Sequence, residues 1–172
     1  MKIRDKNTSN QDFRRYGKRL MQVICEEAMG HLAVEATIDT PVEDSMLDTF
    51  MNVVPEAAVG KILIQRDEET AQPKLFYDKL PPLAGKQIIL LDPMLATGGS
   101  AACAIEVLLK AGAPISKIMF INVLGCPEGM AFLSEAYPEL TIFTGKVDKA
   151  LNAKKYIVPG LGDYGDRFFG TV

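Results

Sequence analysis

A run of residues near the middle of the chain could bind a phosphate group. Asp92 follows the apolar segment Ile88–Leu91, and a short loop then leads to Thr97-Gly98-Gly99-Ser100, which opens a predicted helix. Two glycines allow close approach to the backbone, the first N–H groups of a helix lack internal partners, and two hydroxyls add donors. Asp92 would end a strand at the carboxyl edge of a sheet, where a carboxylate can accept hydrogen bonds from ribose hydroxyls. Neither a Walker lysine nor a G-x-G-x-x-G pattern is present, so a tight strand-to-helix turn without a ligand is the alternative.

A second glycine-rich segment lies near the end of the chain. Pro159–Asp166 holds three glycines within eight residues, more than a structural turn normally requires. The pattern predicts a loop whose exposed main-chain N–H and C=O groups can hydrogen-bond a flat ligand. A glycine-rich surface hairpin is the alternative.

The elements that would position these two segments alternate between helix and strand. Ser9 and Asp12 resemble a capping box, and apolar residues at three- and four-residue steps extend the predicted helix to Leu32. We predict helices over 10–32, 45–54, 100–109 and 128–136, strands over 61–65, 75–77, 87–91, 118–123 and 140–143, and a loop over 39–44. Strands joined by helices pair in parallel through right-handed crossovers. The sequence therefore predicts one α/β domain with an open, mostly parallel twisted sheet and flanking helices.

Composition disfavours several classes of protein. The chain has 172 residues, enough for one ordinary domain. Nineteen basic against 22 acidic residues give a net charge of -3, so no nucleic-acid-binding surface is expected. No apolar run approaches the roughly 18 residues of a membrane span. Three well-separated cysteines support neither a disulfide framework nor a zinc site, which favours the cytoplasm. His31 falls in the last turn of the first predicted helix, where a surface or capping role is expected rather than catalysis.

The segment Leu91-Asp-Pro-Met-Leu-Ala-Thr-Gly-Gly-Ser-Ala101 resembles the phosphoribosyl pyrophosphate (PRPP) loop of the uracil phosphoribosyltransferase family. Further segments with this resemblance are Ile3–Thr8, Arg66–Thr70, Pro127–Gly129 and Tyr156–Asp166, so it covers nearly the whole chain. The stretch from 60 to 70 is more similar to the eukaryotic branch than to the bacterial one. The resemblance implies the type I phosphoribosyltransferase fold and a salvage reaction, transfer of a 5-phosphoribosyl group from PRPP to N1 of uracil to give UMP and pyrophosphate.

The resemblance also implies the PRPP site. Its residues would be Arg66, Asp92, Pro93, Met94, Leu95, Ala96, Thr97, Gly98, Gly99, Ser100 and Asp163. The loop would hold the ribose and its 5-phosphate, while Arg66 would reach the pyrophosphate, and Asp92, Arg66 and Asp163 are expected to support catalysis. Mg2+, bound mainly through PRPP, would neutralise the leaving group. Without the resemblance, a surface ion pair of Arg66 with an acid at 68 or 69 is equally compatible.

Uracil is expected to contact Ile157, Gly162, Asp163 and Tyr164. Its edge presents an acceptor, a donor and an acceptor, which main-chain groups of a rigid loop can match while leaving the amino group of cytosine unpaired. A phosphoribosyltransferase for another base is the alternative enzyme, and this loop disfavours it.

Arg66–Leu80 resembles a long β-arm that, in the family, reaches across a neighbouring subunit. An isolated two-stranded hairpin buries little apolar surface, so Leu75, Phe76 and Tyr77 are expected to pack against a second chain. A homodimer or tetramer is therefore expected, and a nucleotide such as GTP is a candidate effector.

One part of the family pattern is not found in the sequence. Family members usually have, between the first helix and Arg66, a further strand and an Arg-Ala-Gly loop whose arginine binds pyrophosphate, and this chain has no Arg-Ala-Gly. We therefore expect a strand and that loop to be missing near residues 42 and 43. If the protein truly lacks this segment, catalysis would be badly weakened; if the protein retains it, the enzyme is intact. The competing hypothesis is a non-catalytic regulatory protein that binds PRPP and uracil nucleotides.

Overall fold

The computed structural model describes residues 2–32, 36–40, 45–66 and 73–171, with only the backbone described at 36–40 and at 66. The helices are α1 (Asn10–Met29), α2 (Leu47–Val53), α3 (Gly99–Lys110) and α4 (Pro127–Ala136). The strands are β1 (Ala36–Thr40), β2 (Ala58–Arg66), β3 (Pro73–Lys79), β4 (Gln87–Leu91), β5 (Met94–Leu95), β6 (Ile118–Gly125), β7 (Thr141–Val147), β8 (Ala150–Leu151) and β9 (Ile157–Val158). Short 3-10 turns form at Lys2–Arg4 and Ile115–Lys117, and a π-helical turn forms at Asp166–Gly170.

Seven strands form one sheet, in which β3, β2, β1, β4 and β6 follow one another and β5 and β7 also pair with β6. Only the β2–β3 pair is antiparallel within this sheet; the other pairs are parallel. A separate antiparallel hairpin, β8–β9, precedes the second glycine-rich segment. The predicted fold class, an open and mostly parallel sheet with flanking helices, is confirmed.

Hydrophobic side chains cover both faces of the sheet. In β4, Ile89 and Leu91 pack on the same side as α1, whereas Ile88 and Leu90 pack with α3 on the other. This division follows from the two-residue period of a strand. All four side chains are at most 1% exposed, so core packing holds the end of β4 in place where Asp92 begins the first glycine-rich loop.

The first helix begins where the sequence predicts it. Ser9 Oγ accepts a hydrogen bond from Asp12 N–H at 3.2 Å, as a capping residue should. The helix ends at Met29, earlier than expected, because Gly30 forms its C-cap. His31 lies beyond the end of the helix and is exposed, with its ring 5.8 Å from that of Phe143. Its expected surface position is therefore found, whereas its expected place in the last turn of the helix is wrong.

One strand appears where the sequence predicts a loop. Ala36–Thr40 form β1, which pairs in parallel with both β2 and β4 in the middle of the sheet. The expected loop over 39–44 is thus wrong at 39 and 40, and residues 41–44 lie outside the described residues. Local signals from Pro41 and its acidic neighbours favoured a loop, whereas two flanking ladders satisfy the backbone of a strand.

The antiparallel β2–β3 pair corresponds to the predicted arm. In β3, Leu75, Phe76 and Tyr77 are 38, 56 and 51% exposed, which is unusual for three successive large apolar residues. Residues 67–72, which include the acids considered as partners of Arg66, lie outside the described residues. Within the described ranges, no helix combines the length and apolar character needed to cross a membrane.

Candidate functional site

A cleft of about 230 Å³ opens at the carboxyl end of β4. Its lining combines the two segments singled out from the sequence, Asp92, Pro93, Met94, Leu95, Ala96, Gly98, Ser100 and Ala101 from the first, and Asp163, Tyr164 and Gly165 from the second. Open parallel sheets bind ligands in this position, beyond the carboxyl ends of their strands. The sheet therefore brings together two loops that are far apart in sequence.

The loop after β4 is held by its own carboxylate and by β6. Asp92 Oδ1 accepts a hydrogen bond from Met94 N–H at 3.1 Å. The carbonyl oxygen of Pro93 accepts from Val123 and Leu124 N–H groups, both at 3.1 Å. These bonds fix the direction in which the chain leaves the strand, so the carboxylate of Asp92 lies at the cleft.

The start of α3 offers main-chain donors to the cleft. Gly98 is the N-cap with φ +84°, and no side chain caps the helix. The left-handed backbone angle at Gly98 favours glycine, and a Cβ there would be crowded, 2.7 Å from Phe132 Cδ1 and 3.3 Å from the Gly129 carbonyl oxygen. Thr97 Oγ1 accepts from Gly99 N–H at 3.4 Å, which steadies the turn. The uncapped helix start is an anion-binding geometry.

The first turn of α4 supports this loop from behind. Cys126 N–H donates to the Leu95 carbonyl at 3.2 Å, and Cys126 Sγ donates to the Ala96 carbonyl at 3.1 Å. Burial raises the pKa of the Cys126 thiol, which keeps it protonated as a donor. A Cβ at Gly129 would overlap the Ala96 carbonyl oxygen, so glycine is needed for this close packing. Cys126 is thus a buried structural residue.

A second cleft, about 390 Å³, adjoins the first and shares Met94, Ala96, Asp163 and Tyr164 with it. It contains all four residues expected to contact the base, Ile157, Gly162, Asp163 and Tyr164. Lys154, Lys155 and Tyr156 complete its lining and were missed from the sequence. The sequence signal that could have identified these three residues is their position immediately before the Ile157–Asp166 segment.

The side chain of Tyr164 anchors the second loop in the core rather than facing the cleft. It is 4% exposed, its hydroxyl donates to Met21 Sδ at 3.3 Å, and its ring lies 5.6 Å from Phe13 and 5.7 Å from Phe168. Asp163 Oδ1 accepts from Asp166 N–H at 3.0 Å, which closes the following turn. The groups of this loop that can meet a flat ligand are therefore mainly main-chain groups.

Glu128, in the first turn of α4, joins the loop support to the β8–β9 hairpin. Its Oε1 accepts from Leu151 N–H at 2.9 Å, and this hydrogen bond lowers the pKa of the Glu128 carboxyl. The start of α4 thus contacts both the first loop and the hairpin that precedes the second loop.

Three predicted residues stand apart from this lining. Thr97 and Gly99 form the turn of the first loop but are not among the residues that line either cleft. Arg66 is the last residue of β2, and its side chain lies outside the described part of the chain. Its expected contact with pyrophosphate stays a prediction.

The sequence comparisons with known proteins identify one family, and the structural comparisons show its fold. A family model described as uracil phosphoribosyltransferase matches residues 43–171. The uracil phosphoribosyltransferase of Dictyostelium discoideum is 43% identical over 192 aligned positions, which cover 98% of this chain and 89% of that protein. The AQ2163 protein from Aquifex aeolicus has a similar structure, with a TM-score of 0.88 and 34% identity over 97% of this chain and 90% of that one. An APRTase from Giardia lamblia shares the fold, with a TM-score of 0.61 at 12% identity over 83% of this chain and 85% of that one.

Proposed function

Because this chain belongs to the uracil phosphoribosyltransferase family, we propose that it transfers the 5-phosphoribosyl group of PRPP to N1 of uracil, releasing pyrophosphate and forming UMP. One observation supports this above the others: the phosphate-binding geometry after β4 and the glycine-rich loop after β9 line adjoining clefts with four residues in common. A donor in one cleft and a base in the other would therefore meet. Such proximity is the main requirement of this transfer.

The first cleft is proposed to hold PRPP. The 5-phosphate would bind at the uncapped start of α3, where main-chain N–H groups and the helix dipole favour an anion. Asp92 would accept hydrogen bonds from the ribose hydroxyls with the carboxylate that already orients Met94 N–H. Holding the ribose rigidly lets its anomeric carbon develop positive charge while the protein supplies little covalent chemistry.

The second cleft is proposed to hold uracil against Ile157, Gly162, Asp163 and Tyr164. Since the Tyr164 side chain is buried, hydrogen bonds to the base would come from the main chain. A fixed pattern of main-chain donors and acceptors favours uracil over cytosine, because the amino group of cytosine would be left unpaired.

The residues of the first cleft fit Mg2+ that arrives with PRPP. Among the described residues, no cluster of three or more His, Cys, Asp or Glu side chains forms a metal site. Asp92 and Asp163 nevertheless line one cleft, and one or two carboxylates together with substrate phosphates are the usual ligands of Mg2+ in such sites. The ion would neutralise the charge of the departing pyrophosphate.

We also propose that pyrophosphate binding normally requires the arginine of the Arg-Ala-Gly loop, which this sequence lacks. The alignment with the Dictyostelium discoideum relative has 192 positions, more than the 172 residues of this chain, so it contains gaps on this chain's side. Such gaps support the proposal that a segment with the Arg-Ala-Gly loop is missing near residues 42 and 43. Arg66 would then be left as the principal basic contact of the pyrophosphate.

Assembly and regulation are proposed from less specific features. The exposed apolar residues of β3 support a homodimer or tetramer joined through the arm. Free, unpaired cysteines support a cytoplasmic location, with Cys25 buried and its thiol pKa raised by burial to about 12. A nucleotide effector such as GTP stays a prediction from the family resemblance.

The direct test is formation of labelled UMP from labelled uracil, PRPP and Mg2+ by the purified chain. Cytosine and hypoxanthine serve as control bases, and omission of Mg2+ is the control for the metal. We expect uracil to be the only one of the three bases that is converted to its nucleotide, and only when Mg2+ is present. Binding of PRPP and UMP without turnover would instead establish a non-catalytic regulatory protein.

A further inference from the structure

An ion pair joins the start of the chain to the loop after β7. Arg4 Nη1 and Nη2 donate to Asp148 Oδ2 and Oδ1 at 2.6 and 2.7 Å. The Asp148 side chain is only 4% exposed and that of Arg4 22%. Two parallel hydrogen bonds of this kind fix the orientation of both groups as well as their separation.

The same ion pair forms hydrogen bonds with both main-chain polar groups of Gly160. Gly160 N–H donates to Asp148 Oδ2 at 2.8 Å, and the Gly160 carbonyl accepts from Arg4 Nη1 at 2.9 Å. Gly160 has φ +57°, and a Cβ there would overlap the Ile157 carbonyl oxygen. The peptide groups on either side of Gly160 are therefore set by this pair, which we call the Arg4–Asp148 brace.

Gly160 lies between two residues that line the base cleft, Ile157 and Gly162. Arg167 continues the attachment at the next residue, since its Nη1 donates to the Leu161 carbonyl and, at 2.7 Å, to the Ile3 carbonyl. The N-terminal turn therefore supports the base loop at two successive residues.

The PRPP loop is held mainly by other contacts. Its carbonyl groups at Pro93 and Ala96 are hydrogen-bonded to β6 and to Cys126. The main-chain N–H of Asp148 donates to the Gly125 carbonyl at the end of β6 at 2.8 Å, a bond that a change of the Asp148 side chain leaves in place. A change in the brace should thus displace the base loop and leave the PRPP loop in place.

We propose that Arg4 and Asp148 are positioning residues for base recognition: they hold Gly160, and through it the main-chain groups of 162–164, in the arrangement that hydrogen-bonds the pyrimidine edge. The inference rests on the proposed function. It gives the Ile3–Thr8 segment a role in substrate selection, although none of that segment lines the base cleft.

The test compares two brace variants with a matched ion-pair control. Arg4→Lys keeps the charge but loses the two-pronged geometry, and Asp148→Asn removes the charge while keeping an acceptor. Asp48→Asn is the control, because the Lys18–Asp48 pair spans 3.7 Å with exposed side chains that line neither cleft. KM for uracil is measured at saturating PRPP, KM for PRPP at saturating uracil, and thermal unfolding on the same samples.

Both brace variants are expected to raise KM for uracil about tenfold, the effect of one charge-assisted hydrogen bond, with KM for PRPP within about twofold of the parent. Asp48→Asn should change neither. Equal increases of the two KM values, or an unchanged KM for uracil in a folded variant, would overturn the proposal. If Asp148→Asn does not fold, Arg4→Lys decides.

The brace can be tested separately from the proposed function. If the parent chain forms no UMP, amide hydrogen exchange at 160–165 still tests the brace. Faster exchange there in Arg4→Lys, with exchange at 94–98 unchanged, is expected. Unchanged exchange in both segments would overturn the proposal that the brace supports the loop.

Discussion

Gly98→Ala is expected to destabilise the protein and weaken its use of PRPP. Gly98 has φ +84°, and a non-glycine residue held in such a conformation costs about 1–3 kcal/mol. The added Cβ would also lie 2.7 Å from Phe132 Cδ1, a half-exposed ring that can rotate, and 3.3 Å from the fixed Gly129 carbonyl. A chain of this size should lose about 2–4 °C in Tm for each kcal/mol, so the expected fall is about 2–12 °C.

The same substitution should affect PRPP more than uracil. Relief of the crowding moves the first turn of α3, and a displacement on the order of 1 Å at a binding site can lower kcat/KM by about a hundredfold. We expect kcat/KM for PRPP to fall at least about tenfold, measured by UMP formation at saturating uracil.

Gly99→Ala provides the matched control for stability. Its Cβ would have Pro73 Cγ and Thr97 Oγ1 as nearest atoms, both at an ordinary 3.7 Å, and its φ is not left-handed. Since alanine favours a helix over glycine by up to about 1 kcal/mol, Tm should be unchanged or slightly higher. Equal Tm values for the two variants would refute the conformational argument at Gly98.

Four further results are expected. Asp92→Asn keeps an acceptor for Met94 N–H but loses the charge, so turnover at saturating PRPP should fall at least about tenfold with little change in Tm. Gly162→Ala should abolish uracil use through its φ of +84° while calorimetric PRPP binding persists. Sedimentation at micromolar concentration should show a homodimer or larger assembly. Hydrogen bonds from Arg4 and the Gly160 N–H lower the pKa of the Asp148 carboxyl in the folded protein. The contribution of Asp148 to the stability of the fold should therefore be complete above its pKa in the unfolded chain, about 3.9, and be lost as the pH falls through its lower pKa in the folded protein. The Tm of Asp148→Asn should accordingly converge with that of the parent on acidification.

Each of these expectations has a contrary outcome. Near-normal turnover by Asp92→Asn would remove the ribose assignment. Loss of PRPP affinity together with uracil use in Gly162→Ala would mean that the two loops form one unit. Among the described residues, apart from its chain neighbours, the added Cβ would have only Arg167 Cδ within 4 Å, at 3.4 Å. A single species of 18.8 kDa in sedimentation would exclude assembly through the arm. A constant difference in Tm across acid pH would show that Asp148 does not stabilise the fold as an anion.

The elements around the first loop could be predicted because their signals are local. The strand over 87–91 has the predicted bounds, and the helix predicted at 100–109 extends by one residue at each end. A buried apolar run followed by Thr-Gly-Gly-Ser encodes the strand end, the left-handed N-cap and the helix start within a few residues. The β8–β9 hairpin had no such signal, since strands of two residues are too short to show periodicity.

The sequence by itself determined the chemical character of each loop: a carboxylate before an uncapped helix, and a glycine-rich segment with exposed main chain. Only the tertiary structure decided that the two loops meet, that Lys154, Lys155 and Tyr156 join them, and that Arg4 supports the second loop through Asp148. Glycine conformations and helix starts depend on neighbours along the chain. The meeting of the loops depends instead on parallel strands ending at one edge of a sheet, which forms because burying apolar side chains on both of its faces lowers the free energy of the whole domain.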